Sequence, residues 1–441
     1  MGSDTSDKAT ADAAARAEAT STTAALGVDK KRKAKQRVPR ATVVTIMSAI
    51  IVFIIAQNVP ELVISTIKPL PINTTRTIQT EPAPTIFYDP SLTCSESDGN
   101  DCYITEATTQ WTTVLNSTKG QVIDTKGKPM KNVAQLDVTQ KLIRTDSQSP
   151  LVNITDKLHL LRGSAHPILL PTSQMEVTTG GFGVNFNTGT FARDGLQYFL
   201  PFNTERRSYS YFDVFAQAAF PLDYVRTERR GHNDLVPDSD VFVFHQQLPV
   251  MNLASAAARS FNHPDDISDA PGETIIESDL PQQQREQIGN MLLTGPESKF
   301  YPGGSDNSVT LAPFYTATRT LWVEASSGVI VDEQEEMHLF FAMDSADAEK
   351  TAQEGVNMYR TILHTSTTWN QETKDSAKAW AEPVVSIMYW LRFGAFVLKY
   401  LAGTLLIYGF WRYTQIVRRA ENTASLTTPT APPEPPTSPK A

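Results

Sequence analysis

Two apolar stretches near opposite ends of the chain constrain it more than anything else. Ala41 to Pro60 runs without a charge, and Pro383 to Trp411 is interrupted only by Arg392 and Lys399. A helix needs about 20 residues to cross roughly 30 Å of hydrocarbon. Both stretches reach that length, so the sequence predicts a two-span membrane protein with a large segment between its anchors. A cleaved signal peptide is the other reading of the first stretch. Its length and the lack of a small-residue cleavage site favour an uncleaved anchor.

The flanks set an expected orientation. Lys30, Lys31, Arg32, Lys33, Lys35, Arg37 and Arg40 precede the first span, and Arg412, Arg418 and Arg419 follow the second. Basic residues resist translocation. The expectation is a plasma (inner) membrane protein with both termini cytoplasmic and the middle extracytoplasmic. Its parts are then a disordered basic N-terminus (1–40), a first span (41–60), an extracytoplasmic domain (61–383), a second span (384–411) and a disordered Pro/Thr-rich tail (412–441). Lys399 is either a functional intramembrane charge or a side chain snorkelling to the headgroups beside Tyr400 and Tyr408.

The formal net charge is −9, and the basic residues concentrate beside the spans. The central domain is therefore acidic, which argues against a nucleic-acid partner. Its two cysteines, Cys94 and Cys102, bracket a turn-forming run. In an oxidising compartment they are expected to form a disulfide. Neither they nor the acidic run between them match a zinc or EF-hand calcium site. No metal or other cofactor is expected.

Period-two patterns dominate the central segment. Val133 to Ile143, Tyr209 to Phe215 and Val241 to Phe244 read as strands. Thr320 to Glu324, Ala-Ser-Ser-Gly and Val329 to Asp332 read as a hairpin, with Met337 to Met343 as one more strand. Asp265 to Ile288 reads as a loop leading to a short helix. Ala348, Ala352, Val356, Tyr359 and Leu363 recur at helical spacing and predict a last helix. The expected class is α+β and β-rich: a curved sheet or barrel-like body with a C-terminal helix, flanked by two transmembrane helices.

Chemistry is sparse. There is no G-x-S-x-G elbow, phosphate loop or H-E-x-x-H pair. The seven histidines are scattered, and no enzyme is expected. Arg206 and Arg207 have forks suited to phosphate oxygens. The plainer reading pairs them with neighbouring acids at the surface.

Leu200-Pro201-Phe202-Asn203-Thr204-Glu205-Arg206-Arg207-Ser208-Tyr209-Ser210-Tyr211-Phe212-Asp213 resembles the P-F-G-T-E-K-x-x-Y-x-Y-W-D signature of the PorA-family proteins of mycolate-walled actinobacteria. Leu321 to Asp332, LWVEASSGVIVD, is similar to that family's W-V-E-P-x-T-G-x-v-v-D. Asn203, Phe212, Ala325 and Ser327 depart from the pattern. LmcA-like members imply a β-rich periplasmic domain with a hydrophobic pocket that serves lipoglycan assembly. The resemblance thus implies a lipid- or glycolipid-binding protein of the cell envelope. Tyr198, Phe199, Phe202, Tyr211 and Phe215 could then line a pocket, with Arg206 and Arg207 at a headgroup; each aromatic taken singly reads as core. The expected partners are the membrane, a lipid ligand and envelope glycosyltransferases. The alternative is a non-enzymatic scaffold for such a transferase. A pore is argued against, because a barrel needs many lipid-facing strands and here helices cross the membrane.

Overall fold

The structure is a computed structural model that describes residues 39–66, 70–95, 98–228, 239–262 and 281–426. The expected disorder of residues 1–38 and 427–441, and most of the loop expected after Asp265, lie outside the described residues; residues 412–426 of the expected disordered tail instead continue a helix.

One compact unit comprises Gln57–Phe396, and its centre is a large antiparallel sheet. The strands are β1 (Thr74–Gln79), β2 (Ala83–Tyr88), β3 (Ile104–Lys119), β4 (Val133–Arg144), β5 (Pro150–Leu161), β6 (Ser173–Thr179) and β7 (Phe186–Phe191). They continue with β8 (Tyr209–Asp213), β9 (Ala218–Glu228), β10 (Val241–Gln247), β11 (Met251–Asn252), β12 (Leu293–Pro296), β13 (Ser308–Glu324), β14 (Ile330–Ala342) and β15 (Thr361–Thr368). The main path runs β7-β6-β5-β4-β3-β2-β15-β14-β13-β10-β9-β8, with β1, β11 and β12 added at its side. The β15–β2 pairing joins the two ends of the domain's sequence in mid-sheet. The sheet is not closed into a barrel.

These strands form because apolar residues recur every second position. In β6, Ser173, Met175 and Val177 are buried while Gln174 and Glu176 are exposed. Where one face is buried, a one-residue slip would expose the whole set, so the register is fixed. Two apolar clusters result. One includes Phe87, Leu142, Phe215, Tyr315 and Leu363. The other includes Leu136, Leu158, Phe244, Leu321 and Val323 and reaches Ala377 and Ala381.

The expected hairpin is β13–β14, and Met337 to Ala342 is not a separate strand but the far end of β14, with Met343 just beyond it. Its turn is organised by Glu324, whose carboxylate accepts from the backbone N–H of Ser326 at 2.8 Å and of Ser327 at 2.6 Å. Gly328 sits at φ 71°, and a Cβ there would lie 2.5 Å from the carbonyls of Leu200 and Pro201. Only glycine meets both demands. This contact fastens the first signature segment to the second.

The helix expected over Ala348 to Leu363 is shorter. It spans Ser345–Glu354, capped by Asp344, whose carboxylate accepts from the Asp347 N–H at 2.9 Å. Gly355 at φ 85° ends it, and Leu363 belongs to β15. The helix Gln282–Gly289 lies where a short one was expected.

The second unit takes the described residues up to Ala56 and from Val397 onward. It draws on helices Arg40–Thr66 and Gln371–Leu426, the latter continuous through Pro383. Both are long and apolar enough to cross a membrane. Small residues meet where they pack: Ala49, Ala56 and Ala402 are buried, and Gly409 lies against Ile46. Close packing over small residues is how helices associate in lipid. The outer faces are greasy, with Val44 60% and Ile407 72% exposed.

Candidate functional site: a polar chamber within the sheet

A chamber of about 100 Å³, mixed in lining and carrying three charged side chains, lies within the sheet body. Its walls come from β1, β3, β4, β5, β8, β13, β14 and β15. Ladder geometry decides what faces in. Arg319 of β13 lies directly across from Glu335 of β14, and Leu321 across from Glu333. Alternation therefore sends both glutamates of β14, with Met337, to the chamber side.

Arg319 is the hub. Its Nη1 donates to Gln246 Oε1 at 2.7 Å and its Nη2 to Asp213 Oδ2 at 3.2 Å and to Glu335. Its Nε lies 3.4 Å from Glu333. Tyr315 Oη donates to Asp213 at 3.1 Å. Burial, helped by the Glu335 charge and opposed by Arg319, pushes the Glu333 carboxyl up to about 7. Burial raises the phenols of Tyr211 and Tyr315 as well.

A second charged pair stands behind another wall. Arg193 and Asp156 are fully buried and bidentate, at 2.7 and 2.9 Å. Gln197 accepts from Arg193 at 2.7 Å, and Tyr198 Oη donates to Asp156 at 2.8 Å. Arg193 also lies over the Phe212 ring, 4.4 Å from its centroid. A buried pair persists only when its remaining donors and acceptors are satisfied, and Gln197 and Tyr198 supply much of that.

The residues expected to form a lipid pocket do not come together. Tyr198, Tyr211 and Phe215 line the chamber. Phe199 lies instead in a separate hollow of about 510 Å³ with Leu70 and Trp380. Phe202 is half-buried and lines neither. Arg206 and Arg207 are exposed on the surface. Arg206 is 3.9 Å from Asp240, and Arg207 is 3.1 Å from Glu205 and 4.8 Å from the Tyr209 ring centroid. They pair with neighbouring acids, as the plainer reading had it. The chamber falls below the ~300–1,000 Å³ of ordinary ligand pockets, and its charged lining does not suit an acyl chain.

Elsewhere, Cys94 and Cys102 are joined by a disulfide, and no free cysteine is present. His338 and His364 lie in an open polar hollow, ring centroids 5.4 Å apart. Burial brings His338 down to about 3, so it is neutral. Among the described residues no group of His, Cys, Asp or Glu could hold a metal ion.

The family described as Porin PorA matches residues 41–411. Porin PorA of Corynebacterium amycolatum is 30% identical over 253 residues, covering 55% of this chain and 61% of that protein. Porin PorA of Corynebacterium resistens is 32% identical over 266 residues, covering 55% of this chain and 62% of that protein. The aligned stretch thus spans less than two thirds of either relative.

These names correct the functional expectation. A porin is a channel protein of an outer envelope layer, not a lipid carrier. The lipid- or glycolipid-binding role, its place in lipoglycan biosynthesis, the lipid and glycosyltransferase partners and the scaffold alternative all give way. The inner-membrane, two-pass placement with cytoplasmic termini gives way with them. The family and both relatives carry a porin's name and no enzyme's. Its model being matched from residue 41 to residue 411, the chain belongs to the PorA family.

Proposed function

We propose that this chain is a non-catalytic, pore-forming membrane protein. The family match over residues 41–411 carries the reading, and both named relatives are porins. Since they are covered only in part, the activity is a proposal for this chain.

The structure constrains how such a pore is built. A lipid-facing barrel needs an outward apolar band and a closed sheet. Here, among the described residues, Val225 is the one large apolar side chain left exposed on a strand. The exposed apolar surface lies overwhelmingly on the two long helices. In this reading the segments 41–60 and 384–411 are the parts that enter the membrane, and 61–383 is a body outside the lipid; the exposed apolar surface of the two helices supports it. Two helices cannot enclose a water path, so the conducting unit is an assembly of several copies.

Purified full-length chain in planar bilayers tests this. Stepwise conductance is expected, together with chemical cross-linking to a discrete oligomer. Chain that inserts into the bilayer and gives no steps above the protein-free baseline refutes the proposal.

A further inference from the structure

The charges around the chamber do not balance. Arg193 cancels Asp156, and Lys374 at 2.9 Å cancels Asp332. Arg76, 3% exposed and stacked between Trp369 and Trp380 at 5.5 and 5.6 Å, has no carboxylate within ion-pair distance among the described residues. It acts on Glu333 through its field. Glu335 shares Arg319 with Asp213 and Glu333, so three carboxylates stand against the two guanidiniums of Arg319 and Arg76. With every group ionised, the chamber would hold one uncompensated negative charge. The Glu333 and Glu335 side chains keep 23% and 17% exposure, so the excess charge is only partly solvated, which favours uptake of a proton.

The chamber also has a donor with nothing to donate to. Trp111 lines it and is 8% exposed, and its indole N–H has no partner. A buried, unpaired N–H in a polar cavity is the mark of internal water. A volume of about 100 Å³ has room for several molecules. Water in contact with Glu333 and Glu335 gives a proton a place to enter.

We infer that the chamber is a proton-binding site: in the folded protein Glu333 takes up a proton beside Arg319 and Glu335. Asp213, Gln246, Tyr211, Tyr315 and the Trp369 indole face the pair from the surrounding elements, and none of them supplies the missing positive charge. The titration of Glu333 near 7 agrees with the geometry. The folded state then holds a proton that the unfolded chain releases at a lower pH. Stability conferred at acid pH is lost as pH rises from about 4.5 through about 7.

The test uses the full chain in detergent, by infrared difference spectroscopy and thermal unfolding between about pH 5 and about pH 8.5. A protonated-carboxyl C=O band that disappears through about pH 7 is expected, with an unfolding midpoint that falls over the same interval. Glu333→Gln should abolish the band and flatten the midpoint. Glu335→Gln, which removes the neighbouring charge, should shift the titration to lower pH, and it reports independently if the first variant does not fold. A band missing from wild-type protein at pH 6, or unchanged in both variants, overturns the inference. So does a midpoint that follows sodium or potassium concentration instead of pH, since a metal cation would then supply the charge.

Discussion

The buried arginines show how local sequence and local structure part company. Arg206 and Arg207 form a visible basic doublet, yet they sit at the surface beside Glu205 and Asp240. Arg193 and Arg319 are lone arginines whose partners Asp156 and Asp213 lie 37 and 106 residues away along the chain, although Arg319 also meets Glu335 across its own hairpin. No window of sequence contains both members of either pair, so neither was legible. Tyr198, Tyr211 and Phe215, named for a lipid pocket, line the chamber instead; aromatic residues beside a strand pattern point inward often enough to be worth naming, but the pattern does not say into what. Arg193→Met is expected to strand the Asp156 charge in a dry site and to cost about 3–5 kcal/mol. Denaturant unfolding would measure it. The double variant Arg193→Met/Asp156→Leu should recover much of that loss, because an apolar pair carries no desolvation penalty. A single variant as stable as wild type would show that the pair is solvated.

At the level of elements, the sequence was most legible where period and punctuation agreed. The β13–β14 hairpin carries alternation on both sides of a Gly-containing turn, and it is present as read. The last helix of the body failed at its end because helical spacing continues by coincidence past Gly355, whose positive φ breaks the run. The two apolar helices were plain from length and charge. Their packing was not, since nothing in either helix alone says which face meets the other. Gly409 against Ile46 is the tight point of that contact, where a Cβ would come within 2.8 Å of the Ile46 side chain. Gly409→Val should push the helices apart and weaken any cross-link between cysteines placed on them. Ile46→Ala in the same chain should restore it. An unaltered cross-linking yield in Gly409→Val would show that the helices do not meet there in the membrane.

For the whole molecule, the sequence excluded the right architecture and drew the wrong conclusion from it. Among the described residues the sheet does not close into a barrel, but an open sheet does not exclude a pore, because several copies can enclose one with helices. An assembly is not written in any one chain's periodicity, which is why the channel reading came from relatives. The pore reading makes the helices the sites of conductance and the sheet a bystander. The wild-type chain has no free thiol, so single introduced cysteines report cleanly. Current should be blocked by thiol reagents at positions along Phe393–Trp411, for example Tyr400→Cys or Ile407→Cys. It should be indifferent to modification of Thr155→Cys or Gln334→Cys on exposed strand positions. Block from the strand positions alone would move the ion path into the body.

The Cys94–Cys102 bridge has a consequence for the life history of each copy. Both thiols of the chain are spent in one short loop, and a bacterial cytoplasm keeps such thiols reduced. A copy with the loop open has not yet met an oxidant, and a copy with it closed has. The state of this one loop thereby reports, molecule by molecule, whether its surroundings are reducing or oxidising.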